Sequence, residues 1–281
     1  MSTVLDVRNL TVRFRREKRR ITLVDDVSFS VAAGECLGIL GESGSGKSMT
    51  CKAFMRLLDS SFEVEGCARF GETELLATPD DEMRRLRGSR ICMILQNPMT
   101  CFDPLYRIGT QMAEGFAEHL RLGRGEIRAK CIETLRRMRI RNPEDVLEKY
   151  PHQLSGGMLQ RVMIGLALAT EPTLIVADEP TTAIDSITQY EIVQEFRRIK
   201  RECRTAMIFI SHDLGVVSRL ADRVLVMHDA KVKQSGTMRD ILDHPEDVYT
   251  RFLIEKKMAV MEKFARIMAP ETEPASGRRT A

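Results

Sequence analysis

Cys36-Leu37-Gly38-Ile39-Leu40-Gly41-Glu42-Ser43-Gly44-Ser45-Gly46-Lys47-Ser48 is the stretch on which the reading of this chain turns. Its first five residues carry no polar side chain and read as a buried strand, and residues 41–48 fit the pattern G-x-x-x-x-G-K-[ST]. A helical pattern follows over 47–58. Strand, glycine-rich turn and helix in that order make an anion cradle, because the glycines let successive backbone N–H groups and a helix N-terminus face one phosphate group. Lys47 adds a positive charge, and Ser48 offers a hydroxyl to Mg2+. Gly41, Glu42, Ser43, Gly44, Ser45, Gly46, Lys47, Ser48 and Met49 are the candidate nucleotide contacts. A glycine-rich turn without a ligand is the plain alternative, and the flanking strand and helix argue against it.

Working outward, short apolar runs at 91–95, 174–177 and Ala206–Ile210 look like further strands of a parallel sheet, separated by helical stretches such as 189–201. The fold expected is α/β, a P-loop core with a mainly parallel sheet. The alternating first strand opens an antiparallel β subdomain at the N-terminus. Residues 98–169 carry helical periodicity without a convincing strand and read as an inserted helical subdomain within a domain spanning 1–253. After Asp222 the chain reads as two short strands around a turn, followed by an amphipathic terminal helix to about 268. Residues 269–281, polar with two prolines, are expected to be disordered.

A second acidic element supports the first. Leu174-Ile-Val-Ala-Asp178-Glu179 places two carboxylates at the end of a buried strand, where Mg2+ and an attacking water would sit. Asp178 is the candidate metal ligand beside Ser48, and Glu179 the candidate general base. A strand-end helix cap is the other reading of the pair.

Composition bounds the rest. The 281 residues are 43% hydrophobic and 30% charged, enough for a large core, and 43 basic against 40 acidic side chains leave a formal charge of +3, too even for a general nucleic-acid binder. Seven cysteines form no C-x-x-C spacing and suit a reducing compartment. The first twenty residues contain no apolar signal core, and no window reaches the ~18 uninterrupted apolar residues a membrane-spanning helix needs. A cytoplasmic chain that meets the membrane only through partners is expected.

Leu154-Ser155-Gly156-Gly157-Met158 lies before a helical pattern and ahead of Asp178. With the P-loop, Gln96, the acidic strand end, Ala183-Ile184-Asp185 and Ser211-His212-Asp213, it resembles the ABC-type ATPases, whose motifs come in this order. The resemblance runs from the first strand to about Phe252. It implies ATP and Mg2+ as cofactors and transport-coupled ATP hydrolysis as the activity. By it Gln96 is the Q-loop glutamine and a further Mg2+ ligand, His212 the switch histidine, and Asp185 the D-loop aspartate working across a dimer interface. Ser155, Gly156 and Gly157 then cap the γ-phosphate held by Lys47 of a facing protomer. Phe14 stands near the family's adenine-stacking aromatic, although an alternating strand also places aromatics in the core. Standing alone, Gln96 would be a solvated amide, His212 structural and Asp185 a helix cap.

Departures are Met158 for the usual glutamine, and Ala230 where the Asp229-Ala230 turn favours glycine. Gln96-Asn-Pro-Met-Thr-Cys-Phe-Asp-Pro104 resembles a segment of dipeptide, oligopeptide and nickel importers. His244-Pro245 with Tyr249-Thr250-Arg251-Phe252-Leu253 resembles that branch's HPYTxxL element, here split by Glu246-Asp247-Val248. Met158 is itself familiar there. Residues 47–51 and 155–161 are most similar to the nickel-import ATP-binding subunit. A di- or oligopeptide importer is the alternative, and a soluble non-transport ABC ATPase is a third. The resemblance implies two transmembrane permease subunits, a second homologous ATPase in a hetero- or homodimer, an extracytoplasmic substrate-binding protein reached indirectly, and no nucleic acid. It places the chain at the cytoplasmic face of a bacterial inner membrane. Phe102, Leu105 and Tyr106 are candidate permease contacts, or equally residues that pack the core of the inserted helices.

Overall fold

Alternation of apolar and polar residues along the first thirty positions gives two long antiparallel strands, β1 (Thr3–Arg16) and β2 (Arg19–Ala32). The computed structural model describes residues 2–16, 19–181 and 184–268, so the expected disorder of 269–281 lies outside the described residues. β3 (Cys36–Leu40) is buried at all five positions, as the centre of a sheet covered on both faces requires. It is followed by α1 (Lys47–Phe54), β4 (Phe62–Phe70), β5 (Thr73–Glu74), α2 (Asp80–Leu86) and β6 (Ile91–Ile94). β4 returns along β1, giving a four-stranded antiparallel sheet in the order β2-β1-β4-β5. Arginines of β1 and β2 face acids of β4: Arg13 pairs with Glu65 at 2.8 Å, and Arg15 and Arg20 with Glu63.

Between β6 and β7 the regular elements are helical: α3 (Ile108–His119), α4 (Arg124–Arg137), α5 (Pro143–Leu147) and α6 (Gly156–Ala169). β7 (Leu174–Asp178), α7 (Ser186–Cys203), β8 (Ala206–Ile210), α8 (Leu214–Leu220), β9 (Arg223–His228), β10 (Lys231–Thr237), α9 (Met238–Asp243) and α10 (Val248–Met268) complete the order. The second sheet runs β10-β9-β3-β8-β7-β6, parallel except for β10, which closes one edge as a hairpin with β9. That hairpin turns through Asp229 (φ 48°) and Ala230 (φ 65°), both left-handed without a glycine.

The period of two along each strand divides the core. Leu37, Ile39, Ile208 and Ile210 face β1, β2 and α1, whereas Cys36, Leu40, Met207 and Phe209 face the helices on the other side. Among the boundaries that differ from the sequence expectation, three have a local cause or consequence near the site. The helix begun at Lys47 stops at Phe54, since Arg56 turns left-handed (φ 51°) and the Arg87 guanidinium takes the free carbonyls of Met55 and Arg56 at 2.6–2.9 Å. Strand β6 ends one residue early at Ile94. Helix α7 starts at Ser186, because the Asp185 carboxylate accepts the Thr188 N–H at 3.0 Å.

Candidate functional site

At the C-terminal end of β3 the chain enters the glycine-rich turn. Gly46 adopts φ 99° and leads into α1 with no side-chain cap, so the first N–H groups of that helix have no side-chain acceptor and suit an anion. A side chain could not stand at Gly46, because its Cβ would fall 2.6 Å from the Leu23 carbonyl oxygen. Nor could one at Gly41, where it would meet the Met227 carbonyl at 2.3 Å. Lys47 is buried and donates its ammonium to the carbonyls of Gly41 (3.0 Å) and Glu42 (2.6 Å), with the Ser45 hydroxyl at 3.4 Å. Ser43 and Gly44 form the exposed crest of the loop, and Ser48 and Met49 are half-buried in the first turn of α1.

The strand order explains why residues 130 apart meet. β8 separates β3 from β7, and both end at the same edge, so the Ser48 hydroxyl donates to Asp178 Oδ1 at 2.7 Å. Burial pushes the Asp178 carboxyl up, opposed by the Ser48 hydrogen bond and by Lys52. Burial also lowers the Lys47 ammonium, opposed by Glu179, Asp178 and Glu42. A hydroxyl and a buried carboxylate in contact beside an anion cradle are hard oxygen donors, and they fit Mg2+.

Glu179 follows β7 in a left-handed conformation (φ 47°) and its N–H donates to the Ile210 carbonyl at 3.0 Å. Its carboxylate Oε2 accepts from Gln96 Nε2 at 2.9 Å and lies 3.3 Å from His212 Nδ1. Backbone strain at a non-glycine residue that aims a carboxylate between an amide and an imidazole belongs to functional sites. Lys47, Ser48, Gln96, Asp178, Glu179 and His212 thus gather where β3, β6, β7 and β8 end.

Other expected residues lie apart from this cluster. Ser155 caps α6, its hydroxyl accepting the Met158 N–H at 3.3 Å; among the described residues no hydrogen bond joins 155–157 to the phosphate loop. Asp185 serves as the cap of α7, and the amides it binds hold its carboxyl below the usual range. Residues 182–183, which include Ala183, lie outside the described residues. Phe14 is half-buried with its ring 5.0 Å from Phe62 across the β1–β4 pair. Phe102 does not offer a surface: it is buried in the helical side of the core, while Leu105 and Tyr106 are exposed.

Two residues escape sequence reasoning. Gln160, buried in α6, donates its amide to the Pro180 carbonyl at 2.9 Å and to Leu95 at 3.4 Å, next door to Glu179 and Gln96. A glutamine within the apolar run 159–169 was the available signal. Tyr249 reaches Glu42 through its hydroxyl, a contact that no spacing announces.

Residues 24–182, from β2 past the acidic strand end, match the family described as ABC transporter. The metal-staphylopine import system ATP-binding protein CntD of Staphylococcus aureus (strain NCTC 8325 / PS 47) is 42% identical over 266 residues, 95% of this chain and 97% of that protein. The chain belongs to the ABC transporter family. The glutathione import ATP-binding protein GsiA of Escherichia coli K12 is 41% identical over 258 residues, 89% of this chain, which spans 41% of that longer protein. Among solved structures, the ATP-binding cassette MJ0796, in a dimeric post-hydrolysis state bound to ADP and Pi, superposes with a TM-score of 0.76 at 26% identity, covering 84% of this chain and 99% of that one. The chain is an ABC ATPase, an ATP-binding and ATP-hydrolysing subunit of an import-type transporter, with ATP and Mg2+ as cofactors. Among the described residues no helix is long and apolar enough to cross a membrane.

Proposed function

We propose that this ABC ATPase powers the import of nickel through a permease whose cytoplasmic side it binds. One observation carries the chemistry: Ser48–Asp178 and Gln96–Glu179–His212 converge beside the phosphate loop. Lys47 leaves the loop carbonyls to hold a phosphate, Glu179 takes a proton from the attacking water, and Gln96 and His212 hold that carboxylate in place. Ser48 and Asp178, with Gln96 as a further ligand, would hold Mg2+, which when bound would supply positive charge beside the phosphates. Phe14 stacks on adenine, and the N-terminus of α6 at Ser155, Gly156 and Gly157 caps the γ-phosphate of a facing subunit, with Asp185 at the same interface.

Cargo is supported by the near full-length similarity to a metal-staphylopine import protein. A di- or oligopeptide cargo is the second reading, favoured by the similarity to a glutathione import protein. The partners proposed are two permease subunits, a homologous second ATPase and, indirectly, an extracytoplasmic binding protein. A permease helix is proposed to sit in the apolar groove of about 350 Å3 between β6 and the inserted helices, lined by Met55, Cys92, Leu95, Met163 and Leu166. These partners place the chain at the cytoplasmic face of a bacterial membrane.

The test is nickel accumulation in the native host carrying Glu179→Gln, with a labelled dipeptide followed in parallel. Collapse of nickel uptake with dipeptide uptake intact supports the proposal. Intact nickel uptake overturns the cargo, and loss of dipeptide uptake would then establish the second reading.

A further inference from the structure

The His244-Pro245 and Tyr249-Thr250 element takes no part in the chemistry above, yet the fold brings it to the phosphate loop. Asp247 Oδ1 accepts the N–H groups of Tyr249 (2.9 Å) and Thr250 (3.1 Å), so the inserted Glu246-Asp247-Val248 supplies a cap for α10. From β10, Gln234 accepts the Glu246 N–H at 3.1 Å and donates to the His244 carbonyl at 3.2 Å, while Leu253 and Ile254 bury the inner face of the helix. Anchored in this way, Tyr249 lies flat on His228 at the end of β9, ring centroids 3.7 Å apart and 12° from parallel. Its hydroxyl accepts the Glu42 N–H at 3.1 Å, and two turns along the helix Lys256 Nζ lies 3.3 Å from Glu42 Oε1. The Glu42 carbonyl is the one that Lys47 holds at 2.6 Å. All three polar groups of Glu42 are therefore engaged, two of them by α10.

Resting on the phosphate-loop reading above, we infer that α10 is a latch on that loop, and that Tyr249 and Lys256 are positioning residues which hold Glu42 for nucleotide binding. The physical reason lies in what Lys47 must do. To reach a phosphate its ammonium gives up the carbonyls of Gly41 and Glu42, and with them the tie that orders a glycine-rich turn from within. Ordering such a segment at the moment of binding subtracts from affinity. The contacts from α10 do not involve Lys47 and persist, and on the opposite side the Met227 carbonyl stands against Gly41. The start of the loop is held between β9 and α10 whether or not Lys47 is occupied with it.

The test measures binding of a fluorescent ATP analogue with Mg2+, and steady-state kinetics, on the full chain. Tyr249→Phe keeps the ring stack and loses one hydrogen bond, so Kd and KM rise about three- to tenfold while kcat stays within about twofold. Lys256→Glu sets like charges together and weakens binding about threefold at low salt, whereas Lys256→Arg keeps the charge and stays within twofold of the parent. A Kd within twofold of the parent for both Tyr249→Phe and Lys256→Glu overturns the latch, as does a fall in kcat with Kd unmoved. Should Tyr249→Phe not fold, the charge reversal and the conservative Lys256→Arg decide alone. Lys47→Ala is the control on the site itself: unchanged nucleotide binding there would sink the phosphate-loop reading rather than the latch.

Discussion

Asp178 shows what burial does to a carboxylate at the end of a strand. It is only 4% exposed, and burial raises its carboxyl above the ordinary value of 3.8. A group that the folded chain protonates more readily than the unfolded chain destabilises the fold when ionised. That cost is full at neutral pH and disappears as pH falls through the raised value towards 3.8. Asp178→Asn is therefore expected to raise the melting temperature of the nucleotide-free chain at pH 7, with the gain shrinking in acid. The same variant loses Mg2+-dependent turnover. Thermal unfolding of both proteins across pH checks this, and equal melting temperatures at pH 7 would refute it.

At the scale of elements, close packing carries the site. Helix α8 crosses β3 at Gly38, where a Cβ would fall 2.6 Å from Val217 Cγ1 and 3.0 Å from Ala221 Cβ. Gly38→Ala is expected to cost about 1–3 kcal/mol by overpacking, and to lower kcat because α8 begins two residues after His212. Calorimetry and phosphate release measure the two effects; a variant as stable as the parent would show that α8 shifts freely. The β9–β10 turn offers the opposite case. Ala230 holds φ 65° without being glycine, so Ala230→Gly should stabilise by about 0.5–1 kcal/mol, read as a higher denaturation midpoint, and no change would mean the turn is unstrained.

The whole molecule places the Ser155 cap and the phosphate loop in separate parts of one chain, the first at the start of α6 and the second at the end of β3. If Ser155, Gly156 and Gly157 act on a nucleotide held by a second subunit, turnover per chain must rise with protein concentration until dimers saturate. A specific activity independent of concentration across the micromolar range would show that the chain works alone. Docking makes a second prediction. Leu105 is 78% exposed and Tyr106 54%, and both follow Cys101, which lines the apolar groove. Leu105→Asp with Tyr106→Asp is expected to abolish cargo uptake while the isolated chain keeps its ATPase rate; loss of both together would mean the pair supports the fold instead.

Much of this protein was legible in its residues because the information was local. The strand, glycine turn and helix around Gly41–Lys47 declare themselves through spacing, as do the apolar runs at 174–177 and Ala206–Ile210 and the acids that end the former. These patterns determined the nucleotide chemistry and the parallel sheet. Tertiary structure alone decided what long-range packing controls. Arg87, which sequence does not connect to α1, closes that helix at Phe54; the core claims Phe102; and Gln160 reaches the carbonyls beside Glu179 and Gln96. It also brought Tyr249 to Glu42 across 207 residues, because the parallel strands β3 and β9 end side by side and α10 lies against β10. Side-chain reach at the end of a sheet depends on strand order, and strand order is a property of the folded chain that no local spacing records.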